Sequence, residues 1–121
     1  MARPWNQIEV EKHGDVHCVR LRYVHMDELQ LQELGSELTR LLEEEGCCKL
    51  VLNLGPPDPM CLYSVFLAKM VTLQRRLTKA GGGFKLAHVS PDTFKIFEAC
   101  HLHTIFDFYP DQQAAIAAFS A

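Results

Sequence analysis

The run Lys49-Leu50-Val51-Leu52-Asn53-Leu54, bounded by turn residues at Gly46 and Gly55, decides the fold. It is short and nearly all apolar, without the alternation of a strand that has one wet face, so it is expected at the middle of a sheet covered on both sides. The next segment, Gly55-Pro56-Pro57-Asp58-Pro59, is a stiff loop, because its three prolines remove backbone donors and push the residues before them toward extended geometry. Beyond it, Leu62, Phe66, Met70, Leu73 and Leu77 recur at helical spacing and predict a helix from Leu62 to Lys79 that stops before Gly81-Gly82-Gly83. Phe84 to Val89 resumes a strand. Ser90-Pro91-Asp92 is an N-cap with proline at the first helical position, opening a helix through Phe94, Phe97 and Cys100. Thr104 to Phe108 predicts a last short strand, and Pro110-Asp111 opens an Ala-rich terminal helix.

Upstream of the central strand, Leu31, Leu34, Leu38, Leu41 and Leu42 mark another helix, with Gly46 as its left-handed stop. Its start is written in Asp27, an N-cap with glutamine at the third helical position, and in Met26 and Leu31, placed to form a hydrophobic staple. Gly35 inside this helix weakens it by about 1 kcal/mol relative to alanine. Ile8 to Lys12 and Val16 to Tyr23 alternate apolar and polar residues about His13-Gly14-Asp15, which predicts a hairpin. The order is β-β-α-β-α-β-α-β-α. After the hairpin it alternates strand and helix, which implies right-handed crossovers and an α/β fold with a single small, largely parallel sheet, an antiparallel edge and about four helices.

The chain of 121 residues, 48% hydrophobic and 22% charged, fits a single domain over 1–121 with its core at about 8–119. A net charge of −3 supplies no positive field to attract phosphate backbones or anionic lipid, so neither nucleic acid nor membrane is an expected partner. No stretch approaches the roughly 20 apolar residues of a spanning helix, and a cytoplasmic location is expected. The five cysteines, Cys18, Cys47, Cys48, Cys61 and Cys100, are odd in number and irregular in spacing, which reads as reduced thiols.

The ordered segments Lys49 to Leu54, Leu62-Tyr63-Ser64, Leu73 to Leu77, Ala80-Gly81-Gly82, Val89 to Asp92 and Phe106-Asp107 together resemble the STAS family, the domain shared by sulfate transporters and anti-sigma-factor antagonists. The resemblance runs from about Ile8 to Phe119. In that family a strand ending in Asp-Leu leads to an Asp-Ser-Ser-Gly pattern at the start of a helix, and the first serine is phosphorylated by a partner kinase. Here the pattern falls on Tyr63-Ser64-Val65-Phe66, so Ser64 is retained while Tyr63 and Phe66 replace the aspartate and the glycine. Asn53 stands where the strand's aspartate is usual. The resemblance implies a regulatory module for signalling and transcription control that docks an anti-sigma factor, a serine kinase of the histidine-kinase-like ATPase type.

Ser64 falls in the first turn of its helix, where free N–H groups and the positive dipole end favour an added phosphate; a plain N-cap needs the same placement. Tyr63, Val65 and Leu67 lie off the main apolar stripe, and with Asp58, Met60 and Lys69 they form the expected partner-binding face. The alternative is that helix and sheet bury both stripes. Lys69, Arg75, Arg76 and Lys79 read as a solvated basic surface. Phe66 shares a stripe with Met70 and Leu73 and is expected to point inward, leaving Ser64 toward solvent.

Catalytic chemistry finds no foothold. Cys100-His101-Leu102-His103 has no second cluster to complete a zinc site, Cys47 and Cys48 are adjacent and not a Cys-x-x-Cys pair, and the triple glycine follows a helix, the reverse of a phosphate loop. No acid/base pair, nucleophile with base, or cofactor motif can be assembled, and no cofactor is expected. Two other readings stand beside the switched module. One is a constitutive scaffold in a stress-signalling or transport assembly, favoured by the changes at Tyr63, Phe66 and Asn53; the remote one is a thiol or metal enzyme built on Cys61, or on Cys100 and His101.

Overall fold

The computed structural model describes residues 5–55, 59 and 64–120. Strands β1 (Ile8–His13) and β2 (Val16–Leu21) form the hairpin, turning at Gly14 with φ +64°. They are followed by α1 (Glu28–Glu44), β3 (Lys49–Asn53), α2 (Ser64–Lys79), β4 (Gly83–Ala87), α3 (Pro91–Ala99), β5 (Asp107–Tyr109) and α4 (Gln112–Ser120). The sheet has five strands in the order β1-β2-β3-β4-β5, with β1 antiparallel to β2 and all later neighbours parallel. The expected mixed α/β architecture and the central place of β3 are both realised.

Local chemistry sets most boundaries. Asp27 accepts the Gln30 backbone N–H at 2.8 Å, and the Gln30 side chain accepts the Asp27 N–H at 3.0 Å, a complete capping box. Ser90 caps α3 by accepting from the Thr93 N–H at 3.1 Å, with Pro91 in the first turn. Gly46 and Gly81 take the left-handed conformation at φ +67° and +88°. One boundary moves: β5 begins at Asp107 and not at Thr104. The Ile105 N–H turns back to the Leu102 carbonyl at 3.1 Å, and Phe106 is drawn under the sheet against Phe84 and Phe97, at ring-centroid distances of 5.7 and 5.8 Å. Burial of that ring outweighs the strand propensity of Thr104 and Ile105.

The two sheet faces are covered unequally. Ile8, Val19, Leu50, Leu52, Phe84 and Leu86 meet α1, α2 and α3 in one continuous core. On the other face Val16, Cys18, Val51 and Ala87 meet only α4, through Ala115, Ile116 and Phe119. Lys85 pins that helix, its ammonium lying 4.8 Å from the Phe119 ring centre and 3.2 Å from the Asp107 carboxylate. The segment before β1 is held to α1 by carboxylates. Buried Glu37 accepts the backbone N–H groups of Asn6 and Gln7 at 2.7 and 2.8 Å, Glu33 accepts both of their side-chain amides at 2.8 Å, and Arg40 stacks 4.1 Å over Trp5. No helix among the described residues is long and apolar enough to cross a membrane.

Candidate functional site

At the C-terminal edge of the sheet β3 gives way to the loop that leads to α2. Parallel sheets display their loops, and commonly their sites, at this edge. Leu54 extends the pairing by one bond, its N–H donating to the Ala87 carbonyl at 3.0 Å. Asn53, 8% exposed, then turns the chain: its side-chain oxygen accepts the Gly55 N–H at 3.1 Å, and its amide faces Gln112 of α4 at 3.5 Å. In this arrangement the Asn53 side chain both accepts from Gly55 and donates toward Gln112, tying the edge to α4.

Ser64 is the first residue of α2 and is exposed. The amides of a first turn lack intrahelical acceptors, and no acidic residue occupies the first turn of α2 to oppose an anion. Phe66, two positions on, is 2% exposed and packs in the core as expected, so the helix start is anchored from below while the serine faces water. Val65 is 74% exposed, and Lys69 is half-buried.

Leu67 is a correction. Expected on the open face, it is 4% exposed, because α2 packs against both β4 and α1 and its buried arc takes in the row of Leu67 beside that of Phe66, Met70, Leu73 and Leu77. The alternative that both stripes are buried therefore holds for Leu67, while Val65 stays outside. Asp58, Met60, Cys61 and Tyr63 lie outside the described residues. Of the basic surface, Arg76 pairs with Glu43 of α1 at 3.2 Å.

Sequence reasoning missed the role of Gly35. It appears there only as a weak point of α1, but it lies beneath the aliphatic stem of Lys69, whose Cε would be 3.4 Å from a Cβ added to the glycine. The signal was a glycine in the middle of a leucine-rich helix, which asks for a close approach.

The thiols and histidines do not converge. Cys18, Cys47, Cys48 and Cys100 are free, and burial pushes the Cys18 and Cys47 thiols up to about 11 and about 12, leaving them protonated and unreactive. Cys100 is exposed at the C-cap of α3, and His101 (φ +58°) and His103 lie in the turn between α3 and β5. Among the described residues no group of three or more His, Cys, Asp or Glu is arranged to hold a metal ion.

No protein-family model matches the sequence, and no curated protein is similar enough to count as a match. Solved structures do match. An anti-sigma factor antagonist from Mycobacterium paratuberculosis superposes with a TM-score of 0.78 at 22% identity, covering 100% of both chains. An anti-sigma-factor antagonist (STAS) domain protein from Planctomyces limnophilus gives 0.77 at 18%, over 94% of this chain and 98% of its own. The Bacillus cell fate determinant SpoIIAA in its phosphorylated form gives 0.68 at 14%, over 92% of this chain and 98% of its own. These likenesses are of fold, and they span nearly the whole chain.

Proposed function

We propose that this chain, which carries the fold of anti-sigma-factor antagonist (STAS) domains, is a regulatory binding module that docks a kinase-like anti-sigma factor through the start of α2 and is released when Ser64 is phosphorylated. The observation that carries the reading is the exposed serine at the first position of α2, above a buried Phe66 and beside an exposed Val65. A phosphate there adds about two negative charges to the docking face and repels an acidic or apolar partner surface. Asp58, Met60 and Tyr63 extend the proposed face into the preceding loop, Lys69 extends it along α2, and Leu67 supports it from within. SpoIIAA, one of the fold neighbours, is itself known in phosphorylated and unphosphorylated forms. Incubation with the histidine-kinase-like serine kinase of the same organism and ATP, followed by mass spectrometry, is expected to place one phosphate on Ser64. No label at that serine, with a kinase shown to be active, would remove the switch.

The constitutive scaffold is the second reading. It is favoured by Asn53, which spends its side chain on Gly55 and Gln112 as a structural tie. Equal recovery of the partner by wild type, Ser64→Ala and Ser64→Asp would select the scaffold; selective loss with Asp would select the switch.

A further inference from the structure

A groove of about 860 Å³ runs between α1 and α2. Its sides are two helical rows, Glu28, Leu31 and Gly35 on α1 facing Val65, Lys69 and Thr72 on α2. Each row follows the i, i+3/i+4, i+7 spacing of one helix face, for a length of ~12 Å. Buried Met26 also lines the groove, and Val65 stands 74% exposed along it. Gly35 lies under the Lys69 stem, where an added Cβ would reach ordinary contact with Lys69 Cε at 3.4 Å.

Lys69 makes no hydrogen bond or ion pair among the described residues, although it is half-buried in a groove lined by apolar Leu31, Val65 and Phe66 and by two carboxylates, Asp27 and Glu28, neither of which pairs with it. Covering an ammonium in such a place without a counter-charge is costly, so an occupant that lacks a carboxylate is disfavoured. Two helix flanks also offer no free backbone edge for a strand to pair with, whereas a third helix can lay its ridge between them.

We propose that this groove receives an amphipathic helix of a protein partner, which lays its apolar face on Leu31 and Val65 and brings one carboxylate to Lys69. The proposal rests on the reading of the start of α2 as a docking face, with which the groove is continuous through Val65, but it does not depend on phosphorylation. Charge pairing at Lys69 selects the partner, and the apolar contacts at Leu31 and Val65 hold it.

The test uses a capped 14-residue peptide with leucines at i, i+3/i+4 and i+7 and a central glutamate, titrated into the ¹⁵N-labelled protein. Amide shifts concentrated at Gly35, Val65 and Lys69 are expected. Lys69→Glu, and more mildly Lys69→Gln, is expected to weaken binding, by about tenfold for the reversal, and a peptide with lysine in place of the glutamate should restore affinity toward Lys69→Glu. Shifts scattered outside the groove, no shifts at millimolar peptide, or equal binding of both peptides by wild type and Lys69→Glu would overturn the proposal. Ser64→Asp is titrated in parallel with the kinase assay. Failure of labelling at Ser64 with groove binding intact would sink the switch alone, and the converse result would sink the groove alone.

Discussion

Gly82 lies against the carbonyl of Cys48 so closely that a Cβ on the glycine would fall 1.6 Å from the carbonyl oxygen. That oxygen also accepts the Gly83 N–H at 2.9 Å, so neither partner can move without breaking the start of the β3–β4 pairing. Gly82→Ala is therefore expected to destabilise the fold by on the order of 3 kcal/mol, measured by urea unfolding. A loss under about 0.5 kcal/mol, as for a surface change, would show that the backbone yields there.

Gly35→Ala should go the other way. The added methyl meets only the flexible stem of Lys69 at 3.4 Å, and alanine is the better helix former by about 1 kcal/mol. A rise in the urea midpoint is expected. A destabilised Gly35→Ala would mean that the α1–α2 contact is too tight for a methyl group.

Phe66→Gly removes a ring that is 2% exposed and adds backbone freedom at the start of α2, for an expected loss of about 3 to 5 kcal/mol. Chemical denaturation checks it. A change below about 1 kcal/mol would mean that the ring contributes no core contact and belongs to the docking surface.

His17 gives a pH dependence. It is 6% exposed in β2, and burial, then the nearby Lys12, lowers its pKa below the usual 6.5, while Glu45 pulls the other way. Between the depressed folded value and 6.5 the unfolded chain binds more protons, so stability contributed by neutral His17 is present above 6.5 and is lost as pH falls through the folded value. Urea midpoints between pH 7.5 and pH 5 should fall for wild type and fall less for His17→Gln. Equal slopes would assign the dependence to other groups.

Trp5 is the only tryptophan and reports on the carboxylate clamp. Glu37→Ala leaves the Asn6 and Gln7 N–H groups without their acceptor, at a cost of about 1 to 3 kcal/mol, and frees Trp5 from Arg40. A red-shifted emission in the folded variant is the expected readout; an unchanged spectrum would show that the segment is held by its other contacts.

The parts of this architecture that are written in neighbouring residues were legible in the sequence. Asp27 with Gln30, Ser90 with Pro91 and the continuous apolar run of β3 each state their structure within a few positions. What escaped depends on residues distant in sequence. Leu67 looks peripheral until α1 is laid against α2, and Glu37 looks like a solvated helix charge until Asn6 and Gln7 return to it from 30 or 31 positions away. The Lys69 groove exists only because Gly35 and Val65 come from different helices. Ser64 was legible as a helix start, since capping and anion preference are both local.

The strand order, β1 through β5 without a skip, also bears on how the chain is made. Each new strand docks beside the one just completed, so the sheet can grow at a single advancing edge as the polypeptide leaves the ribosome, with no gap held open for a later segment. At every stage the advancing edge is the one that the next strand covers, while the outer edge of β1 stays at the far side of the sheet. Growth finishes on a three-residue strand, too short to template pairing with a foreign chain.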